Sequence, residues 1–335
     1  MLNKAIINLN AIKENALKIK QKLGNTKLCA VVKADAYGHG ACMVANALYS
    51  IVDCFAVALP EEGRKLRLSG IDKEILVLLP VHKSQLPFCI ENRFILTVNG
   101  IKSLLEIGES ARRQNRRVKV HIKVNTGMNR LGVEVEDLPR LLDFASKYSC
   151  IFIEGVYSHL GNPQNDLYLK RATDKFLLAN SIVKGYNNKA TAHLSASGGF
   201  LRGETFDMVR IGILLYGYKP FPFDFDVSPA MRVYAPVVQK RGLGLGDNLL
   251  YGDYLLQSDK TVSLIRYGYA DGMPRQAVEG QLNNRCMDLS ALEGDFLKEY
   301  YPVMTDAQEV AKKYRTISYE VLTKCALRAH KIYLN

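Results

Sequence analysis

Eight short apolar runs, near 28–33, 54–59, 75–80, 93–98, 118–124, 151–157, 191–195 and 208–213, alternate with amphipathic stretches along the first two-thirds of the chain. A strand with helices on both sides is buried on two faces, so it reads as a continuous run of branched and aliphatic residues bounded by turn residues. Eight such runs alternating with helices predict a (β/α)8 barrel, an α/β architecture. The competing doubly wound sheet would carry a G-x-G-x-x-G turn after its first strand, and none is found there. The first helix is expected where Ile12, Ala16, Ile19 and Leu23 recur at helical spacing, with Asn10 as its cap and Gly24 as its stop.

The character changes after Tyr218. Lys219-Pro220-Phe221-Pro222-Phe223 reads as a linker, and beyond it helical periodicity gives way to glycine-punctuated strand signals such as Val233–Val238 and Thr261–Arg266. A barrel over residues 1–222 followed by a smaller β-rich C-terminal domain over 223–335 is the expected division. That second domain is expected to recover one helix near 306–314, where Thr305 and Gln308 have capping-box spacing.

Seven cysteines at 29, 42, 54, 89, 150, 286 and 325 are scattered without a C-x-x-C pair, so neither a disulfide framework nor a metal site is expected. Lys4, Asn8 and Asn10 interrupt the apolar residues of the N-terminus, and no stretch approaches eighteen apolar residues. The expectation is therefore no signal peptide, no membrane span and a cytoplasmic location. A formal charge of +12 raises the question of nucleic acid, with Arg112-Arg113-Gln114-Asn115-Arg116-Arg117 as the densest run. Aromatic stacking residues are not interleaved with it, so a solvated helix end is the reading preferred and no nucleic-acid partner is expected.

Lys33 ends the run Leu28-Cys29-Ala30-Val31-Val32 and precedes the polar, glycine-bearing turn Ala34-Asp35-Ala36-Tyr37-Gly38-His39-Gly40. At the mouth of a buried strand an amine sits in partly apolar surroundings that disfavour its ammonium form, which suits it to Schiff-base chemistry; a solvated loop lysine is the alternative. In the fifth run Val118, Val120, Ile122 and Val124 share one face, and Lys119, His121 and Lys123 the other. In a barrel the second face points inward, with Lys123 nearest the C-terminal mouth where such barrels keep their active sites.

Four segments then need a common explanation: Val32 to Gly40, Lys123-Val124-Asn125-Thr126-Gly127-Met128-Asn129-Arg130-Leu131-Gly132, Asp207-Met208-Val209-Arg210-Ile211-Gly212-Ile213, and Tyr267-Gly268-Tyr269-Ala270-Asp271-Gly272. Together, and in this order, they resemble the alanine racemases over nearly the whole chain. The resemblance implies a pyridoxal 5'-phosphate enzyme that interconverts L- and D-alanine, supplies D-alanine for peptidoglycan, and works as a homodimer with shared active sites. Lys33 would anchor the cofactor and act as one of two bases. Tyr251, in Leu250-Tyr251-Gly252-Asp253-Tyr254, would be the second, reaching in from the other subunit; read alone it is a packing tyrosine.

Phosphate binding falls by resemblance to Tyr37, Ser197, Tyr319 and the backbone amides of Gly212 and Ile213. Arg210 would face the pyridine nitrogen, where a cation discourages protonation and restrains side reactions. His159 would pack by the cofactor ring and help orient Arg210. Arg130 would lie near the substrate carboxylate, Lys123 corresponds to a lysine often carbamylated in the family, and Met287 would offer a backbone contact to the substrate. Outside the resemblance, Ser197 reads as a turn serine, His159 as a polar strand-end residue and Met287 as a core methionine.

Asn125 and Asn129 stand where the family commonly has Asp and Gly, and Ala277 to Asn284 is shorter than the usual hairpin before Met287-Asp288. A broad-specificity or serine racemase is the nearest alternative. A non-catalytic pyridoxal phosphate carrier is another, but such carriers lack the β-rich domain that holds Tyr251.

Overall fold

The eight runs become eight parallel strands. The computed structural model describes residues 1–251, 255–275 and 285–335. After β1 (Lys4–Asn8) come β2 (Lys27–Val31), β3 (Cys54–Val57), β4 (Ile75–Val77), β5 (Ile95–Val98), β6 (Val118–Lys123), β7 (Ile151–Tyr157), β8 (Thr191–His193) and β9 (Met208–Ile211). The last eight pair in the order β8-β7-β6-β5-β4-β3-β2-β9, a nearly closed barrel with helices between strands. The seam is bridged where Asp207 N–H donates to Ala192 O and Arg210 N–H to Ser195 O, both at 3.0 Å. Most residues of these strands are buried, which is why they read as continuous apolar runs rather than as alternating ones.

Contact clustering divides the chain into two compact units: Ile12–Ala36 with Ala41–Val227, and Met1–Ala11 with Tyr37–Gly40 and Ser228–Asn335. The first is the barrel. The second contains β1 because Lys4–Asn8 pairs antiparallel with β10 (Met231–Leu243) and parallel with β14 (His330–Leu334). β10 also pairs with β11 (Lys260–Ile265) and β13 (Tyr300–Met304), and β12 (Ser290–Glu293) completes this six-stranded sheet. Leu249, Val262 and Ala291 form a small apolar cluster within it.

Two caps fall elsewhere than the spacing suggests. Helix Leu9–Leu23 begins directly after β1, so Asn8, not Asn10, caps it, its Oδ1 accepting from Ala11 N–H at 3.0 Å. Helix Ala307–Lys313 is capped by Asp306, which accepts from Gln308 and Glu309 N–H, rather than by Thr305. A second helix, Ser318–Cys325, follows it and carries Tyr319. Among the described residues no helix is long and apolar enough to cross a membrane.

The feature with the largest local cost lies just after β2. Ala34, Asp35, Ala36 and Tyr37 all have φ between 51° and 55°, so the chain makes a turn of left-handed helix built from non-glycine residues. That conformation costs of order 1–2 kcal/mol per residue, so the turn persists only because its surroundings over-determine it. Among the hydrogen bonds that do so are Ala36 N–H to Val32 O at 2.9 Å, Ala41 N–H to Asp35 Oδ1 at 2.8 Å, and Ala34 N–H to Glu62 Oε1 at 2.6 Å.

Candidate active site

Lys33 begins that left-handed turn at the C-terminal end of β2, the end of a parallel barrel where loops converge. It is half-buried. Burial lowers the pKa of its amine, the positive charges of Arg130 and Arg210 lower it further, and the Glu62 carboxylate opposes them.

Lys123, at the end of β6, is 7% exposed. Its pKa falls to about 7, through burial first and then through Arg210, Arg130 and Lys33. Every named charge acting on it is positive. Its Nζ lies 4.7 Å from the centre of the Tyr157 ring, whose hydroxyl is 2.7 Å from Thr97 Oγ1. Burial pushes the Tyr157 phenol up to about 12, so it stays neutral.

Arg210 is the most fully specified side chain of the group. On β9 it is buried and donates from Nη1 to His193 Nδ1 and His193 O, both at 2.8 Å, and from Nη2 to Ser158 O at 2.6 Å and Leu194 O at 3.2 Å. A guanidinium has only donors, so His193 Nδ1 must be an acceptor. The proton of a neutral His193 is therefore on Nε2, which donates to His121 Nδ1 at 2.8 Å. The His121 proton is in turn on Nε2, 3.9 Å from Glu154 Oε2. Burial and the nearby cations hold His193 well below its ordinary range and His121 at about 3, so one tautomeric chain runs from His121 through His193 to Arg210 with both rings neutral. The His193 ring also stacks on Tyr157, centroids 4.8 Å apart and planes 7° from parallel.

Arg210 donates its side-chain hydrogen bonds to His193, Ser158 and Leu194 rather than to His159, His193 lying at the end of the neighbouring strand beside β9. His159 is nonetheless held neutral, at about 3, by burial and by Arg210, Lys123, Arg130 and Lys33. Along the cationic face of β6, Lys119, at the N-terminal end of the strand, is exposed and pairs with Glu74 and Glu154, whereas His121 and Lys123 are buried.

A register shift between β6 and β7 sets His121 opposite Gly155. A Cβ at Gly155 would lie 2.8 Å from the His121 ring and 2.7 Å from Thr191 O. Gly155→Ala is therefore expected to lower stability by about 1–3 kcal/mol, read as a fall in the thermal unfolding midpoint, and to weaken activity by tilting the ring that supports His193. An unchanged midpoint would refute this packing account.

Arg130 is exposed on the loop after β6. Asn125 organises that loop, its Oδ1 accepting from Gly127 and Asn129 N–H at 3.2 and 3.0 Å and its Nδ2 donating to Glu134. Asn129 sits at φ 55°, a conformation that asparagine tolerates better than other non-glycine residues. Ser197 is buried, and its Oγ receives the Gly212 N–H at 3.4 Å; buried Ile213 follows Gly212 at the end of β9.

Within the strand-rich unit, Tyr37 and Tyr319 lie with ring centroids 6.0 Å apart. Burial raises the pKa of both phenols, that of Tyr319 to about 12. Tyr251 is 75% exposed and Met287 54%. The Met287 carbonyl accepts from Ala270 N–H at 3.0 Å. Gly252 to Tyr254 and the shortened segment Ala277 to Asn284 lie outside the described residues.

The barrel unit thus gathers Lys33, Lys123, Arg130 and Arg210 closely enough for their charges to act on one another, with three neutral imidazoles beside them. Sequence reading alone passed over His121, His193 and Tyr157 as functional residues. The available signals were the two-residue spacing of His121 from Lys123 on one strand face and the place of His193 at a strand end.

In comparison with known proteins, residues 7–220 match the family described as alanine racemase, N-terminal domain. The chain is 31% identical to an alanine racemase of Aquifex aeolicus, covering 98% of this chain and 99% of that one. It is also 31% identical to "alanine racemase 2" of Caldanaerobacter subterraneus, covering 98% and 94%. Among solved structures it superposes with a TM-score of 0.92 on an alanine racemase of Clostridium difficile, at 28% identity over 100% of this chain and 96% of the other. A Bacillus anthracis alanine racemase with bound L-Ala-P gives a TM-score of 0.91 at 27% identity, over 99% and 95%.

Proposed function

The chain belongs to the alanine racemase family and is an isomerase that interconverts L- and D-alanine; we propose that it does so by proton exchange at the α-carbon between two bases, with pyridoxal 5'-phosphate as cofactor. The observation that carries this reading is the half-buried Lys33 amine among Lys123, Arg130 and the hydrogen-bonded Arg210.

The donor set fits that cofactor. Three other cations act on Lys123 with no carboxylate named among them, and such a cluster favours an anionic group. Lys33 would hold the cofactor covalently. Ser197 with the amides of Gly212 and Ile213, and Tyr37 with Tyr319, would donate to its phosphate. When bound, pyridoxal 5'-phosphate supplies an electron sink that acidifies the α-proton of an amino acid. Lys33 Nζ takes or returns that proton on one face, burial and the cations Arg130 and Arg210 lowering its pKa toward that task. The Tyr251 hydroxyl does so on the other face, offered by a second copy of the chain in a homodimer; its 75% exposure supports a residue that completes a neighbour's site.

Arg210 would face the ring nitrogen of the bound cofactor as a permanent cation. His193 and His121 are neutral and committed to their own hydrogen bonds, so this side of the site has no proton to give, which restrains transamination. His159, neutral as well, packs beside the ring. Arg130 draws in the substrate carboxylate, and the Met287 backbone adds a contact to it. Lys123, with a pKa near 7, has the free amine that carbon dioxide requires to form a carbamate, which would turn a cation into an anion able to hold Arg130. The D-alanine formed would supply peptidoglycan synthesis in the cytoplasm.

The test is racemisation in deuterated water. Deuterium should enter the α-carbon starting from either enantiomer, and alanine should outpace serine. Tyr251→Phe should lower racemisation by about 10²–10⁴-fold while sparing exchange from one enantiomer more than from the other. Equal, undiminished exchange from both would overturn the two-base reading, and a faster reaction with serine would favour the broad-specificity alternative.

A further inference from the structure

The left-handed turn that follows Lys33 is fastened to a neighbouring element by a carboxylate. Glu62, in the first turn of helix Pro60–Leu68, uses both oxygens: Oε1 accepts from Ala34 N–H at 2.6 Å, while Oε2 accepts from Ala58 N–H at 2.7 Å and Leu59 N–H at 3.0 Å. One side chain therefore ties the loop after β3 to the first strained residue after β2. We propose that Glu62 is a positioning residue for Lys33, holding the left-handed turn so that the lysine amine is presented at the barrel mouth in one orientation.

Three observations support this. Ala34 has φ 51° and ψ 49°, a backbone that alanine leaves unless it is held, and its N–H is held by Glu62. Ala34 is exposed, so side-chain packing does not hold it. The Glu62 carboxylate also acts on the Lys33 amine, opposing the cations around it. A helix cap alone explains the bonds to Ala58 and Leu59 but not the third, across to Ala34.

The inference rests on the racemase reading, and the test separates the two. Racemisation by the native protein tests the function, while ratios to the native rate test Glu62. Glu62→Gln keeps the shape but has one acceptor oxygen instead of two. In the cofactor-loaded protein it should lower kcat at least tenfold with KM for alanine within threefold, and amide hydrogen exchange in the peptide spanning 33–40 should quicken at least tenfold. Ala34→Gly, which accepts positive φ without penalty, should restore at least a third of the native kcat when added to Glu62→Gln. A general structural role would not be rescued at that position. Should Glu62→Gln fail to accumulate, Glu62→Asp, which draws the carboxylate back by one methylene, is read in the same way. A kcat within twofold of native, unchanged exchange, or a loss that Ala34→Gly leaves untouched would each overturn the proposal.

Discussion

Lys33→Ala is expected to abolish racemisation, with a loss of about 10⁴-fold or more, and to remove the visible absorbance of covalently held cofactor, while thermal unfolding of the cofactor-free protein stays near the native midpoint. The two halves of this expectation have separate causes. The amine is half-buried, and burial, Arg130 and Arg210 all disfavour its charge, so trimming it to a methyl group relieves an unfavourable cation rather than breaking a stabilising contact. The chemistry has no substitute nearby. Lys123 is fixed over Tyr157 on a different strand, and Arg210 has donors only. Adding a primary amine to Lys33→Ala should recover part of the lost rate. Retention of full activity would sink the assignment of Lys33.

Arg210→Ala is expected to cost both stability and rate. Four acceptors, His193 Nδ1 and the carbonyls of His193, Ser158 and Leu194, lose the Arg210 donors in a buried place, the His193 carbonyl keeping a further N–H, that of Ser158. An orphaned buried acceptor costs about 1–3 kcal/mol, and relaxation should leave a net loss of about 3–5 kcal/mol, seen as a clear fall in the unfolding midpoint. His193 would be free to change tautomer, so the neutral chain to His121 would lose its fixed direction. Lys123 would feel one cation fewer, raising its pKa from about 7 and leaving more of it charged at neutral pH. We expect kcat to fall by about 10²–10³-fold. Arg210→Lys should recover some of the stability but little of the rate, because a three-donor ammonium cannot span those four acceptors in one plane. If Arg210→Ala unfolds at the native midpoint, the hydrogen-bond geometry described here is not what holds this side of the barrel.

Hydrophobic pattern alone determined the eight barrel strands, the β-rich second part and the place of Lys33 at a strand mouth. These follow from which side chains must leave water, a property that each stretch of ten residues carries in itself. Caps slipped by one or two residues, Asn8 for Asn10 and Asp306 for Thr305, because several neighbouring polar residues can accept the same amide and the flanking strand or turn decides which does. Only the tertiary structure decided that β1 joins the second sheet, since its partners lie more than two hundred residues away. The same holds for Arg210. Its donors meet groups at the ends of other strands and so fix the directions of the His193 and His121 protons, while a bulge and a glycine leave room for the His121 ring. The left-handed turn after Lys33 is likewise invisible in Ala34-Asp35-Ala36-Tyr37, because no local preference favours it and a carboxylate from the helix after β3 helps to hold it in place.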